Sequence, residues 1–306
     1  MKIDILSKRY WFFAFSLLLI VPGLIVLAVK GLPMGIDFTG GTLMELRFAE
    51  GTRREELEAA TIEYGIDGTV VNSGDTNVIV RAPALDTDQI EAYTDFIAEK
   101  YNQDPAALQF SVSTVGPSIG QEVTGRAGLA VLAAAIAVIL YIWFAFRTIP
   151  NSFRYGICAV LAMVHDILIV LSLAAIGQFW GWQFTSLTLT ALLTVIGFSV
   201  QDKIVVFDRI RENTRLLRGI DYETLVNHSI VQTLERSINT QLMTSEFMLL
   251  ALALLGGASL RDFSIILLVG LLMGTYSSIF IAAPLLVVWE KEDWKNWGKG
   301  GKKAEA

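Results

Sequence analysis

The sequence predicts an α-helical membrane protein, a six-transmembrane-helix bundle with one inserted α+β domain. Two observations lead to this fold class. Hydrophobic residues make up 53% of the 306 residues and charged residues only 18%, and the apolar residues form runs of membrane-spanning length. A hydrocarbon core about 30 Å thick requires roughly 20 apolar residues in a helix that rises 1.5 Å per residue. We identify six runs of this kind: 11–29, 129–146, 155–176, 184–207, 240–255 and 263–289.

The first run follows Lys8 and Arg9, as the apolar core of a signal peptide would. It is longer than the core of a cleaved signal peptide, and no Ala-x-Ala cleavage site follows it. We therefore expect residues 1–30 to contain an uncleaved first transmembrane helix.

The distribution of lysine and arginine predicts the orientation. Basic residues precede the first run, lie between the second and third, follow the fourth and close the chain, whereas the loop GQFWGWQF before the fourth run has none. Loops rich in Lys and Arg stay in the cytoplasm. Both termini are therefore expected to be cytoplasmic, and residues 291–306 are expected to form a basic cytoplasmic tail.

Residues 31–124 form the one polar stretch long enough for a folded domain outside the membrane, on the periplasmic side in this orientation. The stretch contains sixteen Asp and Glu residues against five Lys and Arg residues. A domain this acidic repels the phosphate backbone of nucleic acids, so no nucleic acid is expected among the partners.

The inserted domain shows the element order β-α-β-β-α-β, which predicts a ferredoxin-like fold; another small α/β sandwich is the alternative. The elements are strand 42–48, helix 53–64 with Thr52 as N-cap, strands 69–72 and 77–82 joined by the turn sequence SGDT, helix 87–101 capped by Asp86 or Thr87, and strand 108–115.

Residues 125–290 contain the other five predicted transmembrane helices. A polar, amphipathic segment at about 208–236 follows the fourth and is expected along the cytoplasmic membrane surface, with His228 facing solvent. In the sixth, Gly270 and Gly274 have the GxxxG spacing that allows close helix packing, within the chain or with a partner.

His165 and Asp166 stand inside the third apolar run, in the sequence VHDILIV. At 1.5 Å per residue, Asp166 lies roughly 18 Å from the end of the helix, near the middle of the membrane. A charge there costs about 2.5–3.5 kcal/mol on insertion scales, so an ionisable residue in this position indicates a function. The pair predicts a proton relay, with a structural hydrogen bond between helices as the alternative.

Asp202 and Lys203 interrupt the fourth apolar run. Adjacent helical residues point about 100° apart and cannot pair with each other, so each needs a partner of its own. Asp166 is the expected partner of Lys203; the alternative is that Lys203 extends its ammonium group to the membrane surface. The next charged residues, Asp208, Arg209, Arg211 and Glu212, are expected on a solvated extension of the helix.

Two glycine-rich sequences flank the inserted domain, GIDFTGG at 35–41 and VGPSIGQE at 115–122. Both are typical of tight turns where the chain leaves the membrane. GIDFTGG is not a phosphate-binding loop, because it lacks the GK[ST] ending and precedes a strand.

Taken together, these segments resemble the SecD/SecF family of the resistance-nodulation-division superfamily. Six motifs, in order and at matching spacing, carry the resemblance: GIDFTGG (35–41), VGPSIG (115–120), HD (165–166), VVFDRIREN (205–213), SINTQLMTS (237–245) and GTYSSIFIA (274–282). The motif residues that we single out from them are Gly35, Asp37, Gly40, Gly41, Gly116, Pro117, Gly120, Asp208, Arg209, Arg211 and Glu212.

The resemblance implies a subunit of the bacterial cytoplasmic membrane that acts with SecD. Such a subunit pulls unfolded preproteins from the SecYEG translocon and is driven by the proton gradient, with no cofactor and no enzymatic reaction. It implies proton passage at Asp166, Asp202 and Lys203. Where the family more often has Asn-Asp-Thr-like residues, this chain has Gln201, Asp202 and Lys203, so a lysine replaces the commoner small hydroxyl residue.

Two other functions are alternatives to this one. An exporter of small molecules or lipids from the same superfamily is disfavoured because the inserted domain lacks an evident aromatic-lined pocket. A scaffold that only stabilises a translocon partner is disfavoured because charges within the membrane are costly and give a scaffold no advantage.

Overall fold

The structure, a computed structural model, describes residues 4–48, 54–72, 77–104, 108, 110–147, 152–217, 219–241, 247–255 and 258–291. Several sequence-based predictions lie outside these residues: the N-cap at Thr52, the turn at 73–76 and the basic tail beyond residue 291.

The described residues form eleven α-helices and four β-strands. In chain order they are α1 (Arg9–Lys30), α2 (Ile36–Thr39), β1 (Gly41–Arg47), α3 (Arg54–Glu63), β2 (Thr69–Asn72), β3 (Asn77–Ala82), α4 (Thr87–Lys100), β4 (Phe110–Val115), α5 (Pro117–Phe146), α6 (Ser152–Gly177), α7 (Ser186–Leu216), α8 (Tyr222–Gln241), α9 (Phe247–Leu255), α10 (Ala258–Ser277) and α11 (Ala283–Glu290).

Within the described residues, five helical stretches are long and apolar enough to cross a membrane, and each overlaps a predicted span. They are Leu6–Lys30, Pro117–Phe146, Ser152–Trp180, Ser186–Leu216 and Leu260–Glu290. The remaining predicted span, 240–255, falls partly outside the described residues, which show α8 ending at Gln241 and α9 covering Phe247–Leu255. That span stays a prediction.

The helices extend beyond the apolar runs that predicted them. The second run begins at residue 129, yet α5 begins at Pro117, where a proline fits the first turn because its missing N–H needs no partner there. Likewise α7 continues without a break through the charged sequence that follows the fourth run. The arginines and Glu212 that follow the apolar stretch have good helix propensity, so the change from apolar to charged residues does not end the helix.

The chain divides into two compact units. The first comprises Met1–Val29, Leu132–Leu173 and Thr190–Ala306, and it contains most of the membrane-spanning residues. Helix α1 packs closely on α6 there, since a Cβ atom on Gly23 would lie 2.4 Å from the Cα atom of Ser172. The Ser172 hydroxyl also donates to the Leu19 carbonyl, at 3.0 Å.

The second unit comprises Lys30–Val131 and Ala174–Leu189 and is built around the sheet. Its four strands are antiparallel in the order β2-β3-β1-β4. Alternate residues of the strands, such as Met44 and Val80, are fully buried. They form one hydrophobic core together with Leu57 of α3 and Ile97 of α4. Both helices therefore cover the same face of the sheet, in the two-layer arrangement that hydrophobic alternation dictates.

The last membrane-spanning stretch contains a widened turn. A π-helical turn, Ser278–Ala282, joins α10 to α11, and Pro284 stands in the first turn of α11. Proline cannot donate the backbone hydrogen bond that an uninterrupted α-helix requires, which accounts for the wider turn before it. Such turns recur at functional sites, and this one follows directly after Ser277.

Candidate functional site

Asp166 lies fully buried on α6 at the centre of a polar network within the first unit. Its Oδ2 atom accepts hydrogen bonds from Lys203 Nζ at 2.7 Å and from Ser277 Oγ at 2.8 Å, and it also accepts one from the Ser199 hydroxyl. Its Oδ1 atom lies 2.9 Å from His165 Nδ1. The carboxylate thus has four donors supplied by three membrane-spanning segments.

Lys203 on α7 is also fully buried, and its ammonium group ends on Asp166 rather than at the membrane surface. It donates to Asp166 Oδ2, to Ser277 Oγ at 2.9 Å and to the Ser199 hydroxyl. An ammonium group has three hydrogens, so these acceptors satisfy all of them. Of the two alternatives for Lys203 left open by the sequence, the structure contains the ion pair.

His165 is nine-tenths buried and stacks on the ring of Tyr276, with ring centroids 6.4 Å apart. A carboxylate only accepts hydrogen bonds, so the contact to Asp166 places a hydrogen on Nδ1. The other nitrogen, Nε2, is buried and has no hydrogen-bond partner within the described residues. The imidazole therefore has one free site for a proton next to the charge pair.

Asp202 is partly buried and takes no part in the hydrogen bonds around Asp166. It lies beside Thr275 and within electrostatic reach of Lys203 and Arg236. Its Oδ2 atom is buried and makes no hydrogen bond of normal geometry within the part of the chain that the structure describes. Of the four residues predicted for a proton relay, the structure brings together His165, Asp166 and Lys203 and leaves Asp202 on another face of α7.

Two hydroxyl groups in this network were not among the predicted site residues. Ser199 lies one helical turn before Lys203 on α7, and Ser277 ends α10. Each contacts both members of the charge pair. The position of Ser199 four residues before Lys203 is the one signal that could have identified it, because residues four apart share a helix face.

The GIDFTGG sequence forms the short helix α2 and attaches the start of β1 to the start of α7, within the second unit. Asp37 Oδ2 accepts a hydrogen bond of 2.7 Å from the Ser186 backbone N–H. The Gly35 N–H donates to the Phe184 carbonyl at 2.9 Å. Gly40 and Gly41 have positive φ angles of 73° and 135°, which only glycine adopts readily.

The second glycine-rich sequence starts α5 and packs against the first. Pro117 is the first residue of α5, and Gly116 precedes it. A Cβ atom on Gly120 would lie 2.7 Å from the Gly40 backbone nitrogen, and one on Gly40 would lie 2.9 Å from the Cα atom of Pro117. The two sequences are therefore more than independent turns, because their backbones pack too closely for side chains between them.

The charged motif lies on the second half of α7, which continues through it as a helix, and its side chains are exposed or half-buried. Arg209 bonds Gln232 of α8 at 2.7 Å and Glu212 at 2.6 Å, and Arg211 pairs with Asp208. The His228 side chain on α8 is exposed, as expected. None of these residues bonds the buried charge pair.

The buried network can respond to a proton. While Asp166 is ionised, its charge and that of Lys203 neutralise each other in a place without solvent. A proton on Asp166 would leave the buried ammonium without a counter-charge, and an unpaired buried charge costs several kcal/mol. Protonation of this one carboxyl group would therefore weaken the contacts that join α6, α7 and α10.

Comparison with known proteins gives the family. The family described as protein export membrane protein SecD/SecF, C-terminal, matches residues 96–292, and the SecD/SecF GG motif matches residues 25–51. The protein translocase subunit SecF of Anaerolinea thermophila is 56% identical over 305 residues, which cover 98% of each chain. The protein translocase subunit SecDF of Thermus thermophilus is 39% identical over 274 residues, 87% of this chain and 35% of that protein.

The fold agrees with this relationship. The crystal structure of SecDF, a translocon-associated membrane protein from Thermus thermophilus, matches with a TM-score of 0.84 and 35% identity. The match covers 95% of this chain and 39% of that one, so this chain corresponds to part of a longer polypeptide there. By sequence and by fold, this multi-pass membrane chain belongs to the SecD/SecF family of protein-export membrane proteins.

Proposed function

We propose that this chain is a SecF-type subunit of a protein translocase, and that protons crossing the membrane through its buried charge pair drive the export of unfolded preproteins. The observation that carries the proposal is the ion pair of Asp166 and Lys203, 2.7 Å apart and wholly inside the bundle. Charges held at such cost within membrane-spanning helices mark proton or ion pathways.

In the proposed cycle Asp166 exchanges the proton. Protonation removes the counter-charge of Lys203, and the bundle relaxes to a second arrangement in which the ammonium group finds another partner. Release of the proton on the other side restores the pair. His165 supports this role because its Nδ1 already contacts the carboxylate and its Nε2 can accept a proton. Asp202, on another face of α7, is proposed to serve the same path.

The relatives support the choice of partners. In Thermus thermophilus and Bacillus subtilis the matching segment belongs to a protein translocase subunit named SecDF, so we propose SecD as the partner of this chain. SecYEG, the preprotein and membrane lipid complete the proposed assembly. The proton gradient serves as the energy source, without a cofactor and without an enzymatic reaction.

The proposed architecture has six transmembrane helices with both termini in the cytoplasm of a bacterial cell, the sixth span being 240–255. Its domains are residues 1–30, the periplasmic domain 31–124, the helices of 125–290 and the tail 291–306. For the periplasmic domain we propose the ferredoxin-like fold. The element order β-α-β-β-α-β and the strand order β2-β3-β1-β4 support it.

The deciding experiment replaces Asp166 by asparagine. Asn is nearly isosteric and still forms hydrogen bonds, but it cannot titrate. Because Asp166→Asn also leaves the Lys203 ammonium without its counter-charge, protein level and association with SecD are measured beside secretion. We expect the variant to insert and to associate with SecD while losing the secretion that depends on the proton gradient. Asp95→Asn, an exposed site on α4, is the matched control and should secrete normally. Normal secretion by Asp166→Asn at wild-type protein levels would refute the relay.

A further inference from the structure

Tyr276 on α10 lies between the buried polar network and helix α1, within the first unit. Its ring stacks on the His165 imidazole at an interplanar angle of 27°, with the ring centroids 6.4 Å apart. At the far end of the side chain, the hydroxyl donates to the Phe12 carbonyl of α1 at 2.9 Å. The side chain therefore connects α1 with the imidazole that contacts Asp166.

We propose that Tyr276 is a positioning residue of the proton relay, a role that rests on the function proposed above. Its ring holds the His165 imidazole in the one orientation in which Nδ1 donates to Asp166 and Nε2 stays available for a proton. Tyr276 itself exchanges no proton in this role. The proposal adds α1 to the helices that support the buried network.

The imidazole needs a restraint besides its hydrogen bond. The torsion that turns a histidine ring has a broad energy well, and the neutral ring has two tautomers. The bond from His165 Nδ1 to Asp166 Oδ1, at 2.9 Å, fixes one atom of the ring and leaves the ring free to tilt about that atom. Nε2 makes no hydrogen bond within the part of the chain that the structure describes. A flat ring stacked on the imidazole supplies the missing restraint.

The Tyr276 ring is itself held in place, mainly by α1. The rings of Phe12 and Phe15 meet it edge-on, with centroids 6.4 and 5.8 Å away, and the ring of Phe280 lies 5.1 Å away. The buried Ser16 side chain, one helical turn after Phe12, lies beside the hydroxyl. A tyrosine hydroxyl inside a protein normally has a hydrogen-bond partner, and the Phe12 carbonyl provides one here.

Packing between α1 and α10 is the alternative role, and Phe280 separates the two. Phe280 belongs to the same aromatic cluster, since its ring lies 4.4 Å from that of Phe12 and 5.1 Å from that of Tyr276. Among the described residues, no ring contact joins it to His165. Replacing Phe280 by leucine therefore disturbs the packing of the cluster and leaves the imidazole stack intact, which makes Phe280→Leu the matched control.

The test is nuclear magnetic resonance of the full chain in detergent or nanodiscs, with isotope-labelled histidine. The nitrogen shifts show which ring nitrogen carries a hydrogen. The chain has only two histidines, and His228, which is exposed on α8, gives the internal reference. We expect wild-type His165 to show one neutral tautomer, with the hydrogen on Nδ1, and a through-space contact to the Tyr276 ring.

The variants should differ in a fixed order. Tyr276→Leu removes the stacked ring, so His165 should lose its single-tautomer signal and show both tautomers or a broadened resonance. Tyr276→Phe keeps the ring and its aromatic neighbours, so it should keep the wild-type signal. Phe280→Leu should keep it as well. Secretion driven by the proton gradient should follow the same order, with a loss in Tyr276→Leu and rescue in Tyr276→Phe.

Three results would overturn the proposal: an unchanged His165 signal in Tyr276→Leu, loss of that signal in Tyr276→Phe, or no contact between the two rings in the wild type. The last measurement needs no variant and decides the matter even where Tyr276→Leu does not fold. Normal secretion by Asp166→Asn would instead refute the relay. The nitrogen shifts of His165 would still report whether Tyr276 holds the imidazole, so the two failures are distinguishable.

Discussion

The Asp37 carboxylate accepts a hydrogen bond of 2.7 Å from the backbone N–H of Ser186, the first residue of α7. The first N–H groups of a helix lack partners within it, and a negative charge there is favoured by the helix dipole. Asp37 therefore acts as an N-cap supplied from a distant part of the sequence. The helix that it caps also carries Ser199 and Lys203, so the sequence GIDFTGG supports the helix that forms one side of the buried charge pair.

Removing this cap should loosen the start of α7. We expect Asp37→Ala to cost about 1 kcal/mol, the usual value for an N-cap, and to speed hydrogen exchange at the amides of 186–190. Asp37→Asn should cost less because the amide oxygen still accepts. Asp95→Ala, at an exposed position of α4, is the control. Unchanged exchange at the start of α7 in Asp37→Ala would show that the contact does not hold the helix.

The sequence predicted the local features of this molecule better than its long-range contacts. Apolar run length is a local property, and it located the five stretches of the described chain that are long and apolar enough to cross a membrane. Asp166 and Lys203 were identifiable because charges stand out in an apolar context. The hydroxyls of Ser199 and Ser277 are harder to identify, because serine is common in transmembrane helices; only the spacing of Ser199, four residues before Lys203, points to the network.

The contacts of the two glycine-rich sequences could not be predicted from the sequence either. A turn at GIDFTGG explains the positive φ angles of Gly40 and Gly41, but it does not predict what the two sequences contact. Their partners lie far along the chain. Gly40 packs against Gly120, and the Asp37 carboxylate caps the start of α7 by accepting a hydrogen bond from the Ser186 N–H. A pattern within seven residues carries no information about which distant backbone it will approach.

The contact of Gly120 with Gly40 predicts a large effect from one methyl group. A Cβ atom at position 120 would lie 2.7 Å from the Gly40 nitrogen and 3.0 Å from the Phe38 carbonyl oxygen, and backbone atoms cannot rotate away. We expect Gly120→Ala to destabilise the protein by about 1–3 kcal/mol. Thermal unfolding in detergent measures the loss.

Gly125 on the same helix provides the matched control. Nothing lies within 4 Å of a Cβ atom built there, and alanine favours a helix over glycine by up to about 1 kcal/mol. Gly125→Ala should therefore be neutral or stabilising. Similar midpoints for the two variants would contradict the close packing of α5 on the GIDFTGG segment.

A cluster of charges at one end of the first unit predicts a dependence on pH. Glu223 of α8 bonds Lys291 at 2.5 Å and Arg9 at 2.6 Å. Burial alone would raise the pKa of Glu223, but these two cations outweigh it and hold the pKa below its ordinary value of 4.5. A carboxyl group whose pKa is lowered by folding adds stability above its ordinary pKa, and that stability is lost as the pH falls through the lowered value.

Glu223→Gln should accordingly lower the unfolding midpoint by about 1–4 °C at pH 7. The difference from wild type should shrink as the pH falls below 4.5. Glu235→Gln, an exposed position on the same helix, should show no such difference. A Glu223→Gln effect that is constant from pH 7 to pH 3 would mean that packing, not charge, produces it.

The buried charge pair predicts that loss of one member is worse than loss of both. Lys203→Met keeps the volume of the side chain but leaves Asp166 without a counter-charge, and breaking a buried pair in this way costs about 3–5 kcal/mol. Adding Asp166→Asn removes the orphaned charge, so the double variant should regain most of that stability. Reversible unfolding in detergent, measured for both single variants and the double variant, gives the coupling energy. Additive effects of the two substitutions would contradict the pairing, because residues that share one ion pair must show a large interaction term.

Secretion adds a second, independent readout: Lys203→Met should be partly defective, whereas the double variant should stay inactive although its stability is restored, because it has no carboxyl group to titrate.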